Sequence, residues 1–148
     1  MTKYPAVPYE TTLYVRDHCL CLHAQRAARA LARRFDDALR PYGLTNGQFS
    51  LLMSLNRPEP PGMNPVAALL AMDRTTLTAA LKPLERRGLV VVAADPRDKR
   101  SRKLKLTPEG VVLLSQALPV WKETHEMLEA GLDSSDPDAL RTGLKSIA

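Results

Sequence analysis

The chain has 148 residues, 45% of them hydrophobic, and a formal net charge of +5. These values fit one domain with a real core, and they favour an anionic partner, either nucleic acid or an anionic membrane surface. No apolar run approaches the roughly 18 residues that cross a bilayer, and residues 1–14 lack the apolar centre of a signal peptide, so we expect a cytoplasmic protein with no membrane partner.

The first third of the chain is predicted to form an arm and then one long helix. Residues 1–12 contain two prolines and little periodicity, which is typical of an extended arm. From Leu13 the pattern becomes helical and continues to a stop at residues 41–43. The apolar residues of this helix recur at spacings of three and four: Leu20, Ala24, Ala27, Leu31, Phe35 and Ala38.

Residues 18–23, HCLCLH, form the only cluster with possible metal or thiol chemistry. On a continuous helix Cys19 and Cys21 point about 200° apart, so only Cys19 and His23 could share an ion, and two ligands are too few. We therefore predict no metal and no cofactor. A catalytic thiol is not predicted either, because no glycine-rich oxyanion loop or nucleophile elbow is present. Small buried side chains and reactive thiols remain as the two interpretations of the cysteines.

A second helix is predicted from residue 46 to near Asn56. Thr45 and Gln48 form the S/T-x-x-E/Q capping box ahead of an apolar run. The proline-rich turn RPEPPGM follows it. This helix should therefore end where the prolines begin.

A short helix over residues 66–72 is predicted next. Asn64 and Pro65 are a favourable N-cap and first-turn pair. Little chain separates this helix from the following one at Asp73. The two are therefore predicted to form a helix-turn-helix, in which the first helix supports the second.

The helix that follows is the predicted recognition helix. Asp73 is a favourable N-cap, Leu77 and Leu84 mark the apolar face, and Gly88 stands where a helix ends in the left-handed conformation. Short hydroxyl groups and long cations can contact base edges and phosphates, and a helix fits the major groove. The side chains of this type that the helix would expose are Arg74, Thr75, Thr76, Thr78 and Lys82, with Arg86 in the last turn.

A β-hairpin with a charged tip is predicted directly after this helix. Residues 89–93 are apolar and β-branched, Leu104 and Leu106 alternate with lysines, and the turn-rich run DPRDKRSRK lies between them. Residues 73–107 contain ten Lys or Arg and four Asp or Glu, a local charge of +6. Basic side chains of this wing could enter the neighbouring minor groove. The candidates are Arg97, Lys99, Arg100 and Arg102; a solvated hairpin whose charges serve only solubility is the alternative.

The last segment is predicted to be helical and to avoid DNA. Residues 107–109, TPE, cap a long helix whose apolar stripe continues to Leu132, and Pro119 should kink it. A final short helix begins after Asp136. Residues 108–148 contain three basic and seven acidic residues, a local charge of −4. The apolar stripes of these helices and of the first helix are larger than a small DNA-binding domain needs to cover its own core. A second copy of the chain is therefore expected to cover them.

The order helix, strand, basic tip and strand is that of a winged helix-turn-helix. DPRDKRS at residues 95–101, with Leu106, Thr107 and Gly110, resembles the wing signature of the MarR (multiple antibiotic resistance regulator) family. DRTTLT at residues 73–78 resembles the start of that family's recognition helix, and the resemblance extends over nearly the whole chain. It implies a mainly α-helical fold with a small β-hairpin wing.

The resemblance also implies a domain organisation and a function. Residues 45–107 would form the winged helix-turn-helix DNA-binding lobe, and residues 1–42 and 108–148 the dimerisation helices. The protein would be a homodimeric transcriptional repressor of double-stranded operator DNA, without enzymatic activity, that an effector releases. Because two recognition helices must enter successive major grooves about 34 Å apart, the operator should be an inverted repeat. The chain departs from the family pattern at Pro83, inside the recognition helix, and in its short C-terminal helix.

Two effectors are considered, an oxidant that reacts with a cysteine and a small aromatic molecule. Cys21 falls at a position that resembles the peroxide-reactive cysteine of the organic hydroperoxide regulators, with Cys19 as the second candidate, but Gln25 and Phe35 stand where tyrosines would be expected. Tyr14 could substitute for one of these, and a nearby positive charge would favour the thiolate. The alternative effector is a small aromatic molecule bound between the dimerisation helices and the winged lobe. A different function is the remaining alternative: the chain would be an interaction module that has the winged fold but does not bind DNA.

Overall fold

The computed structural model describes residues 3–148 as a mainly α-helical chain with one β-hairpin, as predicted. It divides into two compact units, and the boundary between them in the sequence lies between Arg34 and Phe35. Among residues 3–148, no helix has the length and hydropathy needed to cross a membrane. The elements are α1 (Tyr9–His18), α2 (Leu20–Leu39), a 3-10 turn (Arg40–Tyr42), α3 (Asn46–Leu55), α4 (Met63–Leu70), α5 (Arg74–Arg86), β1 (Val90–Asp95), β2 (Asp98–Leu106), α6 (Pro108–Ala130) and α7 (Pro137–Lys145).

The N-terminal unit contains α1 and most of α2, and it corrects two sequence predictions. The predicted arm is shorter than residues 1–12, because α1 begins at Tyr9; residues 1–2 lie outside the described residues. The predicted single helix is broken at Cys19, where φ is −69° and ψ is 107°. The Sγ atom of Cys19 lies 3.4 Å from the backbone N of Leu22, so it accepts a hydrogen bond at the start of α2. Cys19 therefore ends one helix and caps the next.

The second unit begins with the end of α2 and continues into α3. The predicted capping box of α3 is confirmed: Thr45 Oγ1 accepts from the Gln48 backbone N–H at 3.1 Å, and Gln48 Oε1 accepts from the Thr45 N–H at 3.1 Å. These bonds satisfy two donors that a helix start would otherwise leave free. The capping box therefore fixes the first residue of α3.

The predicted boundaries of α4 were wrong at both ends. The helix begins at Met63, three residues earlier than expected, because Gly62 pairs with Lys103 of the hairpin and becomes the N-cap. The Leu104 N–H donates to the Pro61 carbonyl at 2.9 Å, which fixes this pairing. The helix ends at Leu70, two residues earlier than expected, because Ala71 adopts a left-handed conformation with φ of 52°.

The hairpin is longer and its tip smaller than the sequence predicted. β1 and β2 are antiparallel, with Val90 opposite Leu106 and Ala94 opposite Arg102. The strands extend to Asp95 and from Asp98, so most of the run predicted as a basic turn lies in β2. The pairing becomes irregular between Ala94 and Asp95, which lets the chain reverse through two residues. Lys99, Arg100 and Arg102 therefore lie within β2; Arg102 is paired with Ala94, whereas Lys99 and Arg100 lie where the register shifts.

The core of the second unit joins every element from α3 to α6. Burying each large side chain contributes about 1.5–3 kcal/mol. The contact between α6 and the hairpin is especially close: a Cβ atom added to Gly110 would lie 2.2 Å from the Leu89 carbonyl oxygen. Apolar side chains of α7, by contrast, are exposed. The fully buried large side chains of the core are Leu39, Leu51, Leu52, Val66, Leu77, Leu81, Leu84 and Leu104.

Candidate nucleic-acid interface

Helix α5, the predicted recognition helix, has one buried face and one exposed face. Leu77, Leu81 and Leu84 are at most 2% exposed and attach the helix to the core. The opposite face carries a shallow cavity of about 310 Å³, lined by Arg74, Thr75, Thr78, Ala79 and Lys82. Four of the six predicted contact residues of this helix thus share one surface. Thr76 and Arg86 are exposed on the same helix but do not line this cavity.

Two hydrogen bonds define what the start of α5 presents to a ligand. Asp73 Oδ1 accepts from the Thr76 backbone N–H at 2.7 Å, and this bond holds the pKa of Asp73 below its usual value. The Thr78 hydroxyl donates to the Arg74 carbonyl at 2.8 Å. Because the donor of Thr78 is used inside the helix, Thr78 can offer a ligand only acceptor lone pairs and a methyl group.

The turn between α4 and α5 holds the two helices close together. Only residues 71–73 separate them, and Ala71 is the one non-glycine residue with positive φ among residues 3–148. The Met72 N–H donates to the Ala67 carbonyl at 2.9 Å and closes the end of α4. The turn is as tight as the sequence predicted. Ala71 makes it in a left-handed conformation that is strained for alanine and that glycine would adopt more easily.

The wing tip is shaped by two aspartates. Asp95 Oδ1 accepts from the Arg97 backbone N–H at 2.9 Å, and Asp98 Oδ1 accepts from the Arg100 N–H at 3.0 Å. Asp95 also lies 3.9 Å from the Lys103 ammonium. Both carboxylates thus bond to the turn backbone, and the side chains of Arg97 and Arg100 remain exposed.

The helix and the wing meet at a second cavity. Arg74 of α5 and Arg100 and Arg102 of β2 line it together with residues 62–65 at the start of α4, and its volume is about 170 Å³. The structure therefore brings together three predicted contact residues from two separate elements. Lys99, which is exposed on β2, contributes its carbonyl as the acceptor for Arg102 at 3.3 Å.

Two supports of this surface were missed in the sequence. Arg87 Nη1 donates to the Gly43 carbonyl at 2.7 Å and ties the end of α5 to the segment before α3. Asp36 Oδ1 accepts from the backbone and side-chain nitrogens of Asn46 at 2.7 and 2.9 Å, and these bonds lower the pKa of Asp36. Both contacts join residues ten or more positions apart, so no local pattern indicates them.

The cysteines lie in the N-terminal unit and are free thiols. Cys21 is exposed, and the Gln25 amide donates to its Sγ atom at 3.2 Å. Cys19 is partly buried at the break between α1 and α2. The helical argument about the directions of Cys19 and Cys21 was therefore wrong in its premise, since the two residues do not share a continuous helix. Within residues 3–148, no group of three or more His, Cys, Asp or Glu side chains could hold a metal ion.

Side chains close to the cysteines in sequence have contacts of their own. Arg16 Nε pairs with Asp17 at 2.7 Å, so its charge is shared with a carboxylate. The Tyr14 ring stacks on His18, with ring centres 4.1 Å apart. Gln25 thus makes the contact with Cys21 for which a tyrosine was considered.

Comparisons with known proteins agree with this geometry. The MarR family model matches residues 44–101. MosR of Mycobacterium tuberculosis, solved in complex with DNA, is 36% identical with a TM-score of 0.80, over 88% of this chain and 93% of MosR. The transcriptional repressor CouR, a protein of Rhodococcus jostii RHA1 solved on a 23-mer DNA duplex, is 31% identical with a TM-score of 0.79, over 90% of this chain and 94% of CouR.

A curated relative matches a shorter segment. The regulator SarZ of Staphylococcus epidermidis is 28% identical over 91 residues, which is 62% of this chain and 62% of SarZ. These relatives are transcriptional regulators and not enzymes, which confirms the prediction on enzymatic activity. Because MosR combines more than 30% identity with nearly complete coverage, and the family model matches the helix-turn-helix and wing, the chain belongs to the MarR family.

Proposed function

We propose that this protein is a transcriptional regulator that binds double-stranded operator DNA through the lobe of residues 45–107. The observation that carries the proposal is the exposed α5 face of Arg74, Thr75, Thr78 and Lys82, which adjoins an arginine-bearing strand of the wing. A helix of this kind reads base edges in the major groove, and the wing contacts the backbone and the minor groove. The DNA-bound structures of MosR and CouR support this proposal.

A homodimer is the second part of the proposal, with residues 1–42 and 108–148 as its dimerisation segments. Helix α7 has no buried residue: Leu140 and Leu144 in it are 44% and 51% exposed, and Ile147, in the turn that follows it, is 69% exposed. Apolar side chains at this spacing form one stripe, which a second copy would cover. Two-fold symmetry would place the recognition helices about 34 Å apart on an inverted-repeat operator. The dimer would act in the cytoplasm.

The proposed mode of regulation is repression that an effector relieves. CouR is described as a transcriptional repressor, which supports this direction of control. A small aromatic molecule between the dimerisation helices and the lobe is one proposed effector. An oxidant acting on Cys21 is the other.

The exposure of Cys21 and its bond from Gln25 favour the oxidant. An amide donor next to the sulfur would stabilise negative charge on it. A hydroperoxide would transfer one oxygen atom to the thiolate, giving a sulfenic acid on Cys21 and leaving as the alcohol. Cys19, two residues away, is the candidate for a second reacting thiol.

One titration tests both parts. The reduced protein and the protein treated with an organic hydroperoxide are titrated against the DNA next to its own gene and against random DNA of equal length, with Cys19→Ser and Cys21→Ser as variants. We expect tight, sequence-selective binding by the reduced protein, and release by oxidant only while Cys21 is intact. Tight binding that ignores the oxidant would favour the aromatic effector. A folded dimer with no affinity for any duplex would refute DNA binding and favour an interaction module.

A further inference from the structure

The cavity between the recognition helix and the wing has an unusual lining. Three arginines from two elements, Arg74, Arg100 and Arg102, surround about 170 Å³ together with residues 62–65. This volume corresponds to roughly five or six water molecules. No acidic side chain lines it. A concave site of this size and charge is suited to a single small anionic group.

The arginines of this cavity have no carboxylate partner in the described chain. Among residues 3–148, none of the ion pairs within 4.0 Å involves Arg74, Arg100 or Arg102. The one side-chain bond of Arg102 goes to the Lys99 carbonyl at 3.3 Å. Cations brought together without a counter-charge repel one another, so an anion among them would be strongly favoured.

The backbone adds donors at the same place. Helix α4 begins at this cavity, and its N-cap residue Gly62 has no side chain to accept from the first N–H groups. The first turn of α4 is the positive end of the helix, where an anion is stabilised. Arginine side chains and the start of helix α4 thus line the same small volume.

The position of the cavity indicates which anion it takes. Arg74 also lines the α5 face that is proposed to enter the major groove, while Arg100 and Arg102 belong to the wing beside it. In a DNA duplex the major and minor grooves are separated by a sugar-phosphate strand. A protein with a helix in one groove and a wing in the next must accommodate that strand between them, and here the arginine-lined cavity lies between them.

We propose that this cavity holds one backbone phosphate of the operator, on the strand that separates the groove read by α5 from the groove next to the wing. This inference rests on the proposed function. It assigns Arg74 and Arg102 to phosphate anchoring, which fixes the position of α5 along the duplex, and leaves base reading to the threonines and Lys82. Guanidinium groups suit this task because they form two parallel hydrogen bonds to a phosphate.

The strand pattern supports Arg102 as the central residue. Arg102, Leu104 and Leu106 occupy alternate positions of β2; the two leucines are buried and Arg102 is exposed. Alternate residues of a strand share one face, so Arg102 continues the core-facing side at the point where the core ends. Lys103 and Lys105 occupy the opposite face. Lys105 therefore offers a control with the same charge on the same strand.

The test compares Arg102→Gln, Arg102→Lys and Lys105→Gln with the unchanged protein. Affinity for operator and random duplexes is measured by fluorescence anisotropy over a range of salt concentrations. The same proteins are then titrated on operator duplexes in which one phosphate at a time is replaced by a neutral methylphosphonate. Circular dichroism and thermal unfolding confirm that each variant is folded.

We expect Arg102→Gln to weaken binding to both duplexes by about tenfold and to reduce the slope of log affinity against log salt by about 0.9, the value for one phosphate contact. At one position the methylphosphonate should weaken the unchanged protein, Arg102→Lys and Lys105→Gln by a similar factor. It should weaken Arg102→Gln by a clearly smaller factor, because only Arg74 and Arg100 then remain at that phosphate. This loss of sensitivity at a single phosphate identifies the group that Arg102 contacts.

Other outcomes separate the inference from the proposed function. If the unchanged protein binds no duplex, the proposed function fails and this inference fails with it. If it binds the operator but each methylphosphonate weakens Arg102→Gln by the same factor as the unchanged protein, the cavity proposal alone is wrong. If Arg102→Gln loses saturable binding of inorganic phosphate but keeps the operator affinity of the unchanged protein, the cavity belongs to a free anion and the proposal is overturned.

Discussion

The winged segment and the C-terminal segment are similar in length but opposite in net charge and in the exposure of their apolar side chains. Residues 73–107 carry a charge of +6 and residues 108–148 a charge of −4. In the winged segment, leucines such as Leu77 and Leu104 are fully buried and the cations face outward. In α7, Leu140 and Leu144 are 44% and 51% exposed. The first segment covers its own apolar surface, and the second leaves apolar side chains of its last helix exposed.

The comparison teaches that charge and burial can separate DNA contact from assembly within one chain. Positive charge would be concentrated where phosphates are bound, and apolar exposure where a partner copy is bound. Negative charge near the dimerisation helices would repel DNA from that end. Four sets of variants test this division, in order of decreasing expected effect.

The largest effect is expected at the joint between the two segments. Gly110→Ala would place a Cβ atom 2.2 Å from the Leu89 carbonyl oxygen, so α6 must move away from the hairpin. We expect a loss of about 3 kcal/mol in the free energy of unfolding, measured by urea denaturation. Gly143→Ala, which meets no atom within 4 Å in α7, is the control and should add roughly 0.5–1 kcal/mol. Equal effects at the two glycines would contradict the close approach at Gly110.

The second effect concerns assembly alone. Leu144→Asp places a charge on the exposed apolar stripe of α7, and we expect the dimer dissociation constant to rise about 100-fold. Sedimentation and light scattering measure the change. Thr142→Asp adds the same charge two residues earlier, away from the stripe, and should leave the dimer intact. A dimer that tolerates both substitutions would show that α7 is not part of the interface.

The third pair tests the division of roles inside the winged segment. Arg100→Ala should weaken binding to all DNA about tenfold and lower the salt slope by about 0.9. Thr76→Ala should weaken only the preferred site, by about fivefold, because a single base contact contributes about 1 kcal/mol. Affinities on the preferred site and on random DNA measure the difference. Equal losses on random DNA from both changes would count against separate roles.

The smallest effect compares one capping residue in each segment. Asp73 caps α5, and Asp136 caps α7 by accepting from the Ala139 N–H at 3.1 Å. Asp73→Ala should lower the melting temperature of the lobe by a few degrees and weaken DNA binding. Asp136→Ala should only fray α7, because nothing in that helix is buried.

The effect of Asp73 should also depend on pH. The hydrogen bond from Thr76 lowers the pKa of Asp73 below its ordinary value of 3.8. The ionised cap therefore stabilises the fold fully above pH 4, and this contribution is lost as the pH falls through the lowered pKa. Thermal unfolding of the protein and of Asp73→Ala should differ at pH 7 and converge in strong acid. A difference that grows in acid would contradict the assignment.

The sequence predicted the elements that rest on local rules. The capping box at Thr45, the leucine stripe of α5 and the hairpin after Gly88 all follow from neighbours within four residues, and all three were confirmed. The break at Cys19 was missed because the residue is neither glycine nor proline, and the apolar spacing continues on both sides of it. Periodicity alone cannot detect a single extended residue.

The parts that were wrong or missed depend on contacts across the chain. Pairing of Gly62 with Lys103 moved the start of α4, and pairing with the apolar strand β1 drew a charged run into β2 that has little strand preference of its own. The sequence predicted each cationic DNA-contact residue separately and not which of them lie together. That Arg74 and Arg102 share a cavity is a property of the folded chain, since 28 positions separate them.

The two-residue reversal at the wing tip constrains how hairpin length can vary among relatives. Inserting one residue into each strand between Arg102 and the buried Leu104 would carry the tip about 3.4 Å further and turn Arg100 and Arg102 away from the helix. Lengthening each by two would carry it about 7 Å further and restore their direction. The number of residues added to each strand should therefore be even wherever arginines at these positions are retained. In a chimaera with an odd number added, the arginines would point to solvent and could not anchor the phosphate.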